Sequence, residues 1–245
     1  MKFVALADQH GILRDLPEPA DILLIAGDTV PLRYQHYSKD SKKWFQEKFI
    51  PWAQAQPIRD VVMVAGNHDF WLERHGRDEF KEMCSGTKIT YLDCELLPIA
   101  EGLRKYIIIY GTPLCKPFGN WAFMKDLYYQ ENVYKKDLEN INKRKEMLDK
   151  GQDPEIKTIL LSHDAPYGVN DIILQESCPW YDGKTHIGNK ALTKFIEDLK
   201  PDLNIHGHLH TTGHEIETLG ETDVRCVSVL NEDYDLAYEP TYFEL

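Results

Sequence analysis

Seven side chains able to donate to a metal ion stand just past apolar runs of this 245-residue chain: Asp8, His10, Asp28, Asn67, His163, His208 and His210. They present nitrogen and oxygen donors and no thiolate, a set suited to borderline divalent ions such as Mn, Fe or Zn. Seven donors exceed what one tetrahedral site takes, and they fit two ions that share one bridging carboxylate. The densest of these stretches runs from Val61 to Asp69 as Val-Val-Met-Val-Ala-Gly-Asn-His-Asp.

The elements that must position these donors follow from the apolar runs. Residues 61–65 read as a strand buried on both faces. Its end at Gly66 puts Asn67, His68 and Asp69 at the carboxyl edge of a sheet, where open α/β sheets hold their ligands. Residues 3–7 form a strand ending in Asp8-Gln9-His10-Gly11, and residues 22–26 form another ending in Gly27-Asp28. Trp44, Phe45, Phe49 and Trp52 recur at helical spacing within residues 41–55, an amphipathic helix returning towards the next strand. Further strands are expected at residues 89–92, 106–110 and 158–161, the last leading into Ser162-His163-Asp164. Residues 126–150 are strongly charged, with Leu127, Tyr134, Leu138, Ile141 and Leu148 as one apolar stripe of a long helix. That helix either packs as a solvated surface element or overhangs the donors and limits substrate size. Residues 189–200 read as a helix closed by Pro201, and residues 203–205 as a strand leading to His206-Gly207-His208-Leu209-His210. Residues 224–229 and 241–244 are expected to complete a second sheet. No repeat, low-complexity tract or linker interrupts the chain, which reads as one domain over residues 1–245.

The formal net charge of −12 disfavours broad binding to nucleic-acid backbone, which needs a basic surface. No apolar run is long enough to span a membrane, and Asp8 interrupts the first apolar stretch before it could serve as a signal peptide. Five scattered cysteines without a Cys-x-x-Cys pair suggest reduced thiols in a cytoplasmic protein.

The order Asp8-x-His10, Gly27-Asp28, Gly66-Asn67-His68-Asp69, a lone His163 after a strand, then Gly207-His208-x-His210 resembles the calcineurin-like metallophosphoesterase superfamily. The resemblance extends from Asp8 to His210. It implies an α/β fold of the αββα kind, a two-sheet β-sandwich flanked by helices. It implies that Asp8, His10 and His210 hold one ion, that Asn67, His163 and His208 hold a second, and that Asp28 bridges them. His68 is left unligated, facing the substrate as general acid. Manganese is the first choice of metal, with Fe or Zn as alternatives. Two cations roughly 3.5–4 Å apart can hold a bridging hydroxide and polarise phosphoryl oxygens for in-line attack. Two ions bring +4, Asp8 and Asp28 subtract 2 and hydroxide subtracts 1, leaving about +1, so an acidic chain can present a cationic pocket. Gly111-Thr112-Pro113, Asn120-Trp121-Ala122-Phe123, the run from Ser162 to Pro166 and His186-Ile187-Gly188 also look like a branch of small metallophosphoesterase-domain proteins regarded as phosphodiesterases. The stretch between Phe123 and His163 is longer here than in that branch.

These features point to a phosphoester hydrolase acting on a small substrate, a nucleotide among the candidates. A phosphodiesterase is the first choice and a monoesterase or nucleotide phosphatase the alternative. A serine/threonine phosphatase is disfavoured, because Thr29-Val30-Pro31 follows Gly-Asp where that group carries an arginine, and Asp69 stands in place of its glutamate. A repair nuclease would want basic grooves. A catalytically silent scaffold of the same fold should lack a ligand or His68, and none is missing. Asp69 reads either as catalytic support of the site or as a loop carboxylate. His206 shares the strand phase of His208 and is expected to be packed in preference to ligating. His186 and Asn120 are pocket candidates or turn and cap residues. Trp121 and Phe123 are expected in the core, and His36, His75 and His214 on the surface.

Overall fold

The computed structural model describes residues 1–151, 153–179, 182–212 and 214–245. Four parallel strands, β1 (Lys2–Leu6), β2 (Ala20–Ala26), β3 (Ile58–Val64) and β4 (Ile89–Tyr91), lie side by side in sequence order. Their near-continuous apolar content is explained by burial on both faces, with alternate residues taking alternate sides. Phe3, Ala5, Ile22, Leu24, Val62 and Val64 face the second sheet. Val4, Leu6, Leu23, Ile25, Val61 and Met63 face a layer of helix-borne aromatics, among them Trp44, Phe45, Phe49 and Phe80.

That helical layer begins with α1 (Ser38–Trp44), passes through a π-helical turn at Phe45–Phe49, and continues as α2 (Ile50–Ala55). Pro51 lacks the amide hydrogen that an unbroken α-helical ladder requires, and the ladder widens just before it. The layer is completed by α3 (Arg77–Cys84), which the sequence reading did not anticipate.

The second sheet contains β5 (Glu95–Ala100), β6 (Lys105–Thr112), β7 (Glu155–Ser162), β8 (Leu203–His206), β9 (Glu217–Leu219) and β10 (Thr222–Cys226), in the spatial order β5-β6-β7-β8-β10-β9. Ile107, Ile109, Ile159, Leu161, Leu203 and Ile205 meet the first sheet. Tyr110 and Leu160 point the other way, onto α4 (Leu127–Asp149) and α5 (Lys190–Leu199). The layers are therefore helix, sheet, sheet, helix.

One strand lies in the other sheet from that expected. Thr241–Glu244 forms β11, antiparallel to β1 in the first sheet, with Lys2 opposite Glu244 and the Phe3 and Phe243 rings stacked 5.2 Å apart. The stretch expected as one strand at residues 224–229 divides. β10 ends at Cys226, and the chain then crosses to the first sheet, where Val227 O accepts from Ala7 N and Val229 N donates to Ala7 O. This crossover joins the two sheets where β1 ends.

The long helix begins where the charge pattern places it. Asp126 caps it by accepting Tyr129 N at 2.8 Å. Its buried face holds Tyr134, stacked on Phe195 at 4.6 Å, and Ile141, whereas Leu127 is exposed, so the stripe expected from residues 127–148 buries only at its middle. The C-terminal half lines a cleft of about 830 Å³ with Lys81, Tyr91, Glu95 and Leu96, a cleft to which none of the seven donors contributes. Gln130 is the buried polar residue of this face: Nε2 donates to Cys115 O at 3.0 Å and Lys125 O at 2.7 Å, and Oε1 accepts from Asn189 Nδ2 at 2.8 Å. Gln130→Leu fills the same space and removes all three bonds, so unfolding in urea is expected to show a loss of about 2 kcal/mol. An unchanged midpoint would mean that water replaces the amide.

Candidate functional site

All seven donors lie along one edge of the sandwich, beyond the carboxyl ends of β1, β2, β3, β7 and β8. The chain turns sharply there, and four of the donors take left-handed backbone: φ is 56° at Asp8, 40° at His10, 51° at Asp28 and 72° at His208. Such conformations are uncommon for residues with a Cβ and persist where surrounding contacts enforce them. Glycine makes room for the crowding. A Cβ at Gly66 would collide with Asp28 Oδ1, and one at Gly207 with Asp8 Oδ2.

The side chains converge from these separate turns. Asp28 Oδ2 lies 3.7 Å from His10 Nε2, 3.8 Å from His68 Nε2 and 3.5 Å from His163 Nε2. Asp8 Oδ1 lies 3.7 Å from His210 Nε2. These separations exceed hydrogen-bond length, yet three triads have ligand atoms within 4.8 Å of one another: Asp8, His10 and His210; His10, Asp28 and His68; and Asp8, Asp28 and His163. Asn67 joins through Oδ1, 2.9 Å from His163 Nε2. His208 is the outermost donor. Its ring lies 5.1 Å from that of His163, and its backbone N–H donates to Asp8 Oδ2 at 3.0 Å.

The donor set fits a cation on two counts. Both ring nitrogens of His10 are buried without a hydrogen-bond partner among the described residues, a costly state that a ligand relieves. The outer nitrogens of two other histidines are tied to backbone carbonyls, His163 Nδ1 to Ala26 O and His210 Nδ1 to Asn231 O, each at 2.8 Å. An outer N–H held in this way orients the ring and turns Nε2 inward, as metal-binding histidines require. At His163 that nitrogen meets Asn67 Oδ1, so its proton must leave before it can ligate.

Charge follows the same arrangement. Burial alone would raise the Asp28 carboxyl, but the charges of His163 and His68 outweigh it and hold Asp28 well below the usual carboxylate range. Burial works against a charged His163, and Asp28 reverses this, raising the imidazole to about 10. Burial raises Asp8 and drives His10 and His208 well below the ordinary histidine value.

Asp69 is buried, and its carboxylate is spent on backbone. Oδ1 accepts from Val30 N at 3.0 Å, and Oδ2 from Gly66 N at 2.9 Å and Thr29 N at 3.4 Å. It stitches the Asp28 turn to the Asn67 turn. Burial and the Asp28 charge raise it to about 7. Trp121, expected in the core, is half-buried with its ring 4.5 Å from that of His68, whereas Phe123 is buried in the core. His36 is exposed but rests on Phe70 at 4.6 Å. His75 is exposed as expected. His214, expected on the surface, is half-buried, stacked on Tyr238 at 3.7 Å. His206 is buried and absent from the triads, with burial pushing it down to about 4. His186 Nδ1 bonds the buried Asp171 carboxylate at 2.5 Å, and Asn120 is exposed.

Three neighbours went unnoticed in the sequence. Tyr234, at φ 64°, sets its ring edge-on to His10 at 4.9 Å and to His210 at 5.3 Å. Phe118 lies 5.1 Å from His208. Gln35 meets His68 Nδ1 through Oε1. None stands in a recognisable motif. Only the Asn231-to-Asp235 turn, rich in Asn and Asp, hinted at a special loop.

Residues 1–212 match the sequence pattern of the calcineurin-like phosphoesterases. The chain belongs to this family. The family is one of metal-binding hydrolases, in keeping with the buried His and Asp cluster. A UPF0046 protein of Caenorhabditis elegans, T07D4.2, is 25% identical over 269 residues, covering 100% of this chain and 60% of its own length. A probable rhamnogalacturonate lyase C of Emericella nidulans is 23% identical over 220 residues, covering 86% of this chain and 17% of its own. The chain thus spans 60% and 17% of the lengths of these two relatives. Among solved structures, TT1561 of Thermus thermophilus superposes with a TM-score of 0.56 at 14% identity, covering 92% of this chain and 88% of that one. Another superposes with a TM-score of 0.57 at 18% identity, covering 91% and 89%. At such identities the likeness is one of fold.

The bonding of Asp69 distinguishes support from chemistry. Asp69→Ala strands three buried N–H groups and is expected to destabilise the metal-free protein by about 3 kcal/mol, whereas Asp69→Asn, which keeps one acceptor oxygen, loses less. Urea unfolding of both variants checks this, and equal losses would contradict it.

Proposed function

We propose that this calcineurin-like phosphoesterase hydrolyses small phosphodiesters, nucleotides among them, with two divalent ions, manganese first. The ions are assigned as the motif order implies: Asp8, His10 and His210 for one, Asn67, His163 and His208 for the other, Asp28 between them, and residues 1–245 acting as one unit. The observation that carries this reading is the convergence of three histidines on one carboxylate oxygen of Asp28 from three different turns. A shared carboxylate between two groups of donors is what a two-ion site needs. The mixture of imidazole, amide and carboxylate donors suits manganese or iron as well as zinc. A silent scaffold is disfavoured because every expected donor and His68 are present. The free cysteines support a cytoplasmic setting, and no helix among the described residues is long and apolar enough to cross a membrane. The net charge of −12 disfavours nucleic-acid backbone as a partner.

When bound, a pair of divalent ions supplies a nucleophile at neutral pH and charge for the phosphoryl oxygens. The chain's own residues do the remainder. Asp28 orders the edge by accepting His68 N at 2.8 Å. His163 and His210 are held with Nε2 inward by their carbonyl partners. His68 directs Nε2 into the cluster and delivers its proton to the oxygen that leaves phosphorus.

The deciding experiment loads the protein with Mn, Fe or Zn and compares an aryl phosphodiester, the matching monoester and nucleotides. Diester turnover above monoester turnover supports the proposal, and no turnover with any ion overturns it.

Asp28→Ala is expected to lower occupancy at both positions together, because the anion that screens the mutual repulsion of the ions is lost. Elemental analysis finding two tightly held ions per chain would refute the bridging role. His68→Ala is expected to keep its metal and lose roughly 10²-fold or more on alkyl esters, but far less on nitrophenyl esters, whose leaving group departs unprotonated. Equal losses would make His68 a phosphoryl-binding group.

Metal uptake is also expected to follow pH. In the metal-free protein His163, raised to about 10, holds a proton at neutral pH that it must release to ligate. The bound form carries fewer protons, so affinity rises with pH, about tenfold per unit for one proton. Titration calorimetry at pH 6, 7 and 8 in two buffers of different ionisation enthalpy measures this slope.

A further inference from the structure

The two ring nitrogens of His68 have different surroundings. Nε2 faces the cluster, 3.8 Å from Asp28 Oδ2. Nδ1 meets Oε1 of Gln35, a half-buried residue of the loop between β2 and α1. Backbone bonds from Tyr34 N to Pro31 O and from Tyr37 N to Tyr34 O shape that loop, and Ser41 Oγ donates to Tyr34 O at 2.7 Å. The next residue, His36, is wedged against Phe70 and Trp121, and the Trp121 ring covers His68 at 4.5 Å. The backbone N–H of His68 is fixed on Asp28 at 2.8 Å. The imidazole is thus constrained at its backbone, its face and one ring nitrogen.

We propose that Gln35 is the positioning residue of the general acid: its amide oxygen accepts the Nδ1 proton of His68 and thereby commits Nε2 to the leaving group. This rests on the phosphoester-hydrolase reading above. The χ2 torsion of histidine is broad and roughly two-fold, so without a partner the ring could turn either nitrogen inward. An amide oxygen can only accept, so Nδ1 keeps its proton throughout. The reacting form of His68 is the imidazolium, with Nδ1–H on Gln35 and Nε2–H towards the leaving group. As the bond from phosphorus to the leaving oxygen breaks, its electron pair stays on that oxygen, which takes the Nε2 proton. Water forms the new O–P bond and sheds one proton to solvent. His68 is left neutral with Nδ1–H still on Gln35, and solvent returns a proton to Nε2. Neither the ring nor its outer partner has to move during turnover.

The test uses Gln35→Met, which keeps the length of the side chain but lacks the amide oxygen, and Gln35→Glu, which restores an acceptor. Nitrogen-15 NMR of the imidazoles in the metal-free protein reports the tautomer without any turnover. Wild type and Gln35→Glu are expected to carry the His68 proton on Nδ1, and Gln35→Met to shift it towards Nε2. In the Mn-loaded protein Gln35→Met is expected to lose roughly 10–100-fold on an alkyl diester. It should lose less than about threefold on a nitrophenyl diester, at unchanged metal content, with Gln35→Glu recovering most of the alkyl activity. A wild-type His68 bare at Nδ1, or equal losses on the two esters, would overturn the role of Gln35. A wild type that turns over neither ester removes the hydrolase reading and the leaving-group role with it, while the NMR result still reports separately whether the Gln35 bond exists.

Discussion

Asp28 is buried to 1% exposure, and its charge is tolerable only because imidazoles and a backbone N–H surround it. An isolated carboxylate in such a place would protonate or expel itself into water, since removing it from solvent costs several kcal/mol. Three histidines face one of its oxygens and the His68 amide holds the other. His10, His68 and His163 come from three different turns, so the turns cannot relax independently. Asp69 tightens the same knot from beneath by gathering the backbone of Gly66, Thr29 and Val30. The left-handed conformations of Asp8, His10, Asp28 and His208 follow from it, because the turns must bring their side chains inward within one or two residues of a buried strand.

The sandwich makes that knot possible. Parallel strands deliver their carboxyl ends to one edge, and the crossover at residues 227–229 joins the two sheets where β1 finishes. The aromatic layer of Trp44, Phe45, Phe49, Trp71 and Phe80 holds the first sheet from one side. The pairing of α4 with α5 holds the second from the other. A rigid frame on both outer faces lets the turns carry unfavourable backbone geometry without unfolding.

Most strands, and the polar residues at their ends, were legible because an apolar run stops at a glycine or a polar residue, as at Asp8, Gly27 and Gly66, whereas β5 and β9 were not anticipated. Both signals act over a few residues. The partner of residues 241–244 was not legible, since Tyr242 and Phe243 would suit the edge of either sheet and only the tertiary structure selects β1. Gln130 was passed over because a glutamine on a charged helix looks solvated, whereas its partners Cys115 and Asn189 lie far along the chain. Gln35, Trp121 and Tyr234 were missed or misread for the same reason: their roles exist only against His68 or His10, in segments with no motif of their own. Asp69 was left open between catalytic support and a loop carboxylate, because no spacing reveals that its acceptors are spent on backbone amides.

The donors also impose an order in time. Asp8 and Asp28 emerge early in synthesis, whereas His163, His208 and His210 follow after most of the chain has been made. The first strand must wait longer still for residues 241–244 to cover its outer edge. Parallel pairings between distant segments form slowly, because loops must close before any contact rewards them. A growing chain therefore carries its early carboxylates unaccompanied, in hydrated turns, and the closed pocket cannot exist until the second sheet docks. The complete set of seven donors is in this sense assembled late, only in chains that have joined both halves, although His10, Asp28 and His68 come from the first sheet alone.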